Sequence, residues 1–498
     1  MRKKFEQQLS LGIIPISEVK IREKSRHQLA PLLKALQYIF VTPELNSKVF
    51  TILEEHVMKN KKRTGRNGMS LWEIFVLSLT RLNLNIDYDF LLDQANNHRE
   101  LRGIMGVDRS DFKEGKEYHD QTLRDNVSLL DEEVLRQLNE VIVEASHGVI
   151  KKNEGVEVLE LYTKVDSYVV ETNVHFPTDI NLLWDSGRKV LDTIAHLLKS
   201  GLSLSGWHKH GYHRRKFRSK YRTCAEIHRK KGANYQERLK ETAEAYLTRG
   251  RTLKVKARQS VMEGAEALSS GLLNVVQFAL LQDLQYYLTM LEKHIDLLDR
   301  RILKGEKIPH SEKVFSIFEP HTEWISKGKM HKSVELGHNT AIATDQYHFI
   351  LDFEIMFHSS DAAVGMDMGK RIIKKFGTDY RLMSMSFDRG FYSSLTKEVL
   401  SKDIDQVIMP KRGRKTLAEA EQEQEEDYQN LRRAHSAVES NINQLEHNGL
   451  DRCPDKGPKA FRRYIALGIV SYNLHRLGRL LIQAEQAEKD KERARKAA

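Results

Sequence analysis

Cysteine is nearly absent from these 498 residues: Cys224 and Cys453 stand alone, without CxxC spacing. That excludes a disulfide framework or a thiolate zinc cluster and fits a reducing compartment. Long apolar runs are missing as well, none approaching the roughly 18 residues that cross a bilayer. The opening MRKKFEQQLS carries charge with no apolar segment behind it, unlike a secretory signal. There is no GxxxxGK[ST] motif, so no P-loop and no nucleotide cofactor are expected.

What is present in excess is positive charge. The chain carries a net +11, which favours a polyanionic partner such as nucleic acid. Between residues 201 and 260 there are 17 Lys and Arg against 4 Asp and Glu. That local surplus of 13 exceeds the total, so the charge is concentrated in one region.

Residues 1–150 read as helical, with patterns over 29–40, 45–58 and 70–82, the last opening on a Ser70–Glu73 capping box. A basic loop, KNKKRTGRNG, precedes it and carries Lys61, Lys62, Arg63 and Arg66. Short helices behind a basic loop suit a DNA-binding region of helix-turn-helix type, or equally a helical scaffold. Residues 159–170 form the first convincing strand. Residues 179–304 return to helix, with long segments at 235–266 and 272–303. Two strands follow over 332–356, turning near 344–347. Then come a helix (362–376), a strand (382–388), a helix (393–401), a short strand (405–410), a long helix (417–447) and a final one (461–488). The pattern is an α/β sheet core interrupted by a helical insertion.

Alternation along the first strand puts Tyr162, Lys164, Asp166, Tyr168 and Val170 on one face. An Asp inside a strand is costly because it competes for backbone hydrogen bonds. Asp388 ends a later strand just before Gly390, where α/β folds place functional residues. Glu439 lies at the shoulder of a helical stripe of Val438, Ile442 and Leu445. Two Asp and one Glu make an oxygen-only donor set suited to Mg²⁺ or Mn²⁺. Each acid also has a plain alternative: an edge-strand acid for Asp166, a helix cap for Asp388, an ion pair with Arg432 or Arg433 for Glu439. Asp179 reads as a helix cap, while Glu171 has no assignable role.

Basic residues mark the expected DNA contacts. Gly206–Arg222 interleaves Arg214, Arg215, Lys216 and Arg218 with aromatics and histidines. Lys329 and Lys332 precede the second strand, and Lys411, Arg412, Arg414 and Lys415 follow the last one. Arg389 adjoins Asp388, and Arg433 stands one and a half turns before Glu439.

The segments VDSYVVETNVHFPTD, FEPHTEWISKGKMHKSVELGH, SFDRGFYS, HSAVESNINQLEHNGLDRC and FRRYIALGIVSYNLHRLGRLL, in this order, resemble a DDE transposase of a bacterial insertion sequence, of the ISNCY-like group. The resemblance spans most of the chain and implies an RNase H-like catalytic domain at 156–178 and 312–450. The helical insertion is then 179–311, the N-terminal DNA-binding region 1–150, and the C-terminal helix with its charged tail 451–498. It further implies Asp166, Asp388 and Glu439 as a catalytic, metal-binding triad, with two Mg²⁺ or Mn²⁺ ions. The partners it implies are double-stranded DNA and a second copy of the chain, in the bacterial cytoplasm at the nucleoid, with no membrane role. A Tyr and an Arg that related transposases carry before the Glu are not cleanly matched; Arg433 and His435 stand near those positions.

Overall fold

The computed structural model describes residues 14–22, 27–59, 68–107, 116–232, 234–326, 333–411 and 413–497. Two compact units emerge, one of residues 1–173 with 325–498, the other of residues 174–324.

The first unit begins with seven helices: α1 (Leu29–Val41), α2 (Pro43–Val57), α3 (Leu71–Asn83), α4 (Tyr88–Asn97), α5 (Arg99–Ile104), α6 (Asp120–Val127) and α7 (Glu132–Glu154). The capping box at α3 forms as read: Ser70 Oγ accepts from the Glu73 N–H at 3.2 Å, and Glu73 Oε1 accepts from the Ser70 N–H at 3.3 Å. Every residue of α3 is buried, charged ones included. The helix behind the basic loop is thus a core element of this unit. Burial at Arg81 is balanced by Asp455, whose carboxylate accepts from the two terminal guanidinium nitrogens, Nη2 at 2.6 Å and Nη1 at 3.0 Å.

Strand β1 (Glu160–Thr172) then opens the sheet and the chain leaves for the second unit. That unit contains α8 (Asp179–Lys199), α9 (His210–Lys230), α10 (Tyr235–Ser269) and α11 (Val275–Leu298). Thr178, not Asp179, caps α8, accepting from the Asn181 N–H at 3.2 Å. Asp179 is the first helical residue, where its charge suits the helix dipole, and it pairs with Arg301 at 2.8 Å.

The chain returns through β2 (Glu323–Ser326), β3 (Val334–Thr344) and β4 (Ile350–Ile355), then α12 (Asp361–Phe376), β5 (Arg381–Phe387), α13 (Ser394–Leu400) and β6 (Gln406–Ile408). The sheet is mixed. β3 lies antiparallel to β1 and β4 antiparallel to β3, whereas β5 runs parallel to β1 and β6 parallel to β5. β1 is central, with β3 on one side and β5 on the other, which removes the edge-strand explanation for Asp166. Its register with β3 sets Glu171 opposite Gly337, where an added Cβ would lie 2.0 Å from the Val170 carbonyl oxygen. Only glycine fits that close approach.

The expected long helix at 417–447 is instead α14 (Leu417–Gln422), α15 (Glu426–Ala434) and α16 (Ala437–Leu445), followed by a π turn over Glu446–Leu450. The first break falls in the acidic run EQEQEED, where like charges at helical spacing repel. A short strand, β7 (Arg452–Cys453), pairs with β1, and Glu171 acquires a role there by binding Arg452 at 3.0 Å. The last helix, α17 (Pro458–Ala497), extends past 488, its exposed end built from strong helix formers.

The two sheet faces bury different cores. Leu161 and Val165 of β1 pack with Phe387, Met368 and Phe391. Tyr168 and Val170 pack with Ile342, Val438, Leu445 and the apolar face of α17, a core that also takes in α1, α3 and α7. The N-terminal helices thus share a core with the sheet, joined through the C-terminal helix. The insertion is a unit of its own at 174–324, slightly wider than 179–311.

Candidate active site and nucleic-acid interface

The parallel ladder of β1 and β5 pairs Lys164 with Ser386 and Val165 with Phe387. It ends with the Asp388 N–H donating to the Val165 carbonyl at 3.3 Å. One step further, Asp166 continues β1 while Asp388 follows the end of β5. Alternation puts both on the face of Lys164 and Ser386. That is the face whose core holds Val438 and Leu445 of α16, the helix that packs on β1 and carries Glu439. Val438 and Leu445 are fully buried and Ile442 is partly so, as the stripe requires.

Asp166 is half-buried; Asp388 and Glu439 are exposed. Asp166 Oδ1 accepts from the Ser167 N–H at 2.7 Å. Asp388 also caps a 3₁₀ turn, accepting from the Gly390 N–H at 3.4 Å, so its plain alternative is present alongside any other role. Glu439 has no ion pair among the described residues: Arg432 binds Glu423 at 3.6 Å and Arg433 binds Gln429 at 3.4 Å. Among the described residues no three His, Cys, Asp or Glu side chains are gathered as a ready metal-binding group. Carboxylates brought together without a cation repel one another, and backbone N–H groups hold two of these three. An oxygen-only donor set of this kind has the chemistry that suits a hard divalent cation.

Two residues at this face, His435 and Lys164, stand in the sequence without an assigned role. His435 Nδ1 and Ser386 Oγ are hydrogen-bonded at 2.9 Å, which fastens the α15–α16 break to β5 two residues before Asp388. Burial holds the His435 imidazole below its ordinary pKa; the Asp388 carboxylate pulls it up and the Lys164 ammonium pushes it down. Its Nε2 is buried with no hydrogen-bond partner among the described residues. Lys164, two residues before Asp166, is 7% exposed. Burial lowers its pKa, opposed by Asp345, whose carboxylate is bonded to the buried His147 ring at 2.7 Å. A lysine inside a central strand was the available signal, since strands disfavour it.

Of the expected DNA contacts, α9 is the clearest. Only Phe217 and Cys224 are buried along its 21 residues, and Arg214, Arg215, Lys216 and Arg218 are exposed. Trp184 stacks on both Phe217 and Tyr221, at 5.7 and 5.2 Å, anchoring the helix by its apolar side. Arg214 is partly neutralised by Asp192 at 2.6 Å. Arg389, Arg414 and Arg433 are exposed. Lys411 binds Glu419 at 3.0 Å and Lys415 binds Glu423 at 2.5 Å, so these two are engaged within the chain. Lys61, Lys62, Arg63, Arg66, Lys329, Lys332 and Arg412 lie outside the described residues. The second unit also contains a cleft of about 620 Å³ in which Phe176, Phe315 and Trp324 meet Lys240, Arg301 and Lys313. Trp324 lines it with Phe176 edge-on at 5.6 Å.

No family model, curated protein or solved structure matches the chain. Among the described residues no helix is long and apolar enough to cross a membrane.

Proposed function

We propose that the chain is a DDE-type transposase with an RNase H-like catalytic sheet. It binds double-stranded DNA at the ends of its own element, hydrolyses a phosphodiester at each, and joins the freed 3′-hydroxyl to target DNA. The observation that carries this reading is the placement of Asp166 within β1 and of Asp388 just past the end of its parallel neighbour β5, with Glu439 on the helix that packs on β1. The strand order, with β1 central and β5 and β6 parallel to it, supports it as well.

Asp166, Asp388 and Glu439 would hold one or two Mg²⁺ or Mn²⁺ ions, which when bound activate the attacking oxygen and stabilise the leaving one. The chain's own residues do the rest. Arg389, exposed beside Asp388, meets the charge of a phosphate. His435 keeps the helix of Glu439 fastened to the strand of Asp388. Lys164 lies buried on the strand face of Asp166. The exposed face of α9 binds phosphates, and the aromatic cleft suits base stacking. Transesterification exchanges one phosphodiester for another, so no nucleotide is consumed. Two DNA ends require at least two copies of the chain, working in the bacterial cytoplasm at the nucleoid.

A non-catalytic DNA-binding protein is the second reading, favoured by α9, whose basic face does not depend on the acids. Incubation with Mg²⁺ and DNA carrying the element ends separates the cases. Joined products support transposition; cleavage alone indicates a nuclease of the same fold, and binding alone the second reading.

A further inference from the structure

The hairpin of α10 and α11 ends in a surface that nothing so far accounts for. Residues 267–282, ALSSGLLNVVQFALLQ, contain no charged side chain, in a chain that is 30% charged. At this tip Leu272 is 74% exposed, Val275 84% and Val276 63%, with Leu268 and Phe278 exposed beside them. Of the sixteen large apolar side chains exposed among the described residues, these five and two more, Val255 and Met262, lie on this one hairpin. Scattered exposed apolar residues need no explanation, but a contiguous group marks a contact surface.

The tip is also built to stay open. Asn274 and Gln277 form a capping box that starts α11. The Gln277 amide donates to the Ser200 carbonyl at 3.0 Å, tying the tip to the end of α8. Gly264 lets the helices touch so closely that an added Cβ would lie 2.5 Å from Leu281 Cδ1. With that inner face filled, the outer residues cannot fold inward to hide.

We propose that this tip is where two copies of the chain associate. Charge decides the occupant. Nucleic acid and acidic or basic peptides require complementary charge, which the tip lacks. An anionic lipid surface requires flanking Lys or Arg, whereas Glu266 and Asp283 flank this stretch. A twofold contact sets a patch against its own copy, and an uncharged apolar patch can do so without opposing like charges. The inference is independent of the acidic site: a chain that pairs here and never cuts DNA leaves it intact.

Sedimentation equilibrium of the full chain, without DNA, from about 1 to 100 µM tests it, compared with Leu272→Asp/Val276→Asp and the milder Leu272→Ser/Val276→Ser. Both positions are exposed, so unchanged circular dichroism melting is expected for each variant. The wild type should pass from monomer to dimer, and the aspartates should weaken association at least about tenfold, the serines less. A wild type that stays monomeric throughout overturns the proposal, and so does a correctly folded aspartate variant that dimerises as the wild type does.

Discussion

Burial is expensive for a titratable side chain, and two histidines show it: His294, whose ring nitrogens have no hydrogen-bond partner among the described residues, and His475, whose Nδ1 meets Asn83 Oδ1 at 3.0 Å. His294, fully buried on α11, and His475, on α17, are both held down to about 4, mainly by loss of hydration. Asp179 and Asp185 oppose this at His294 while Lys293 adds to it; at His475, Arg479 and Arg476 add to it. A histidine whose folded pKa lies below its unfolded one takes up protons preferentially in the unfolded chain. Stability from these sites is therefore complete above about pH 6.5 and is lost as pH falls toward 4, up to about 3 kcal/mol at each. Urea titrations at pH 7 and pH 5 check this: His294→Leu should lose less stability on acidification than the wild type. Equal losses would contradict it. At the acidic face the same economy is at work differently: Asp166 and Asp388 stay partly solvated, each accepting a backbone N–H.

Among the elements, α3 depends on residues far along the chain. Arg81 is 3% exposed and meets Asp455, 374 positions away, in a two-point pair. Asp455→Ala leaves that guanidinium buried and unpaired, which should cost about 3–5 kcal/mol in a denaturant titration; a loss below about 1 kcal/mol, the worth of a surface pair, would show the pair to be dispensable. Such long-range dependence explains what the sequence made legible and what it did not. β1 and the β3–β4 hairpin were readable because period-two alternation and turn signals are local. So was the stripe that orients Glu439. The pairing of the N-terminal helices with α17 was not, because no local pattern ties Arg81 to Asp455. The interruption at His435–Ser436 was hidden too, since a bond to Ser386 on another strand fixes it. Thr178 took the cap read for Asp179 because a hydroxyl one residue earlier reaches the Asn181 N–H.

Over the whole molecule, charge and acid chemistry are divided between two units. The acids lie in the unit of residues 1–173 and 325–498, the basic helix α9 in that of residues 174–324. Each can therefore be disabled separately. Alanine at Arg214, Arg215, Lys216 and Arg218 should weaken DNA binding regardless of sequence and reduce the slope of log affinity against log salt by up to about 3–4. An unchanged salt slope in a binding titration would remove α9 from the interface. In the proposed reaction three carboxylates, from β1, the end of β5 and α16, would cut DNA with a divalent metal. Asp166→Asn keeps size and shape while removing one of those charges. The most direct measurement follows Mg²⁺-dependent cleavage of end-bearing DNA by this variant and, in parallel, its affinity for the same DNA. Cleavage should fall by more than about a hundredfold with affinity nearly unchanged; cleavage at the wild-type rate would contradict the assignment.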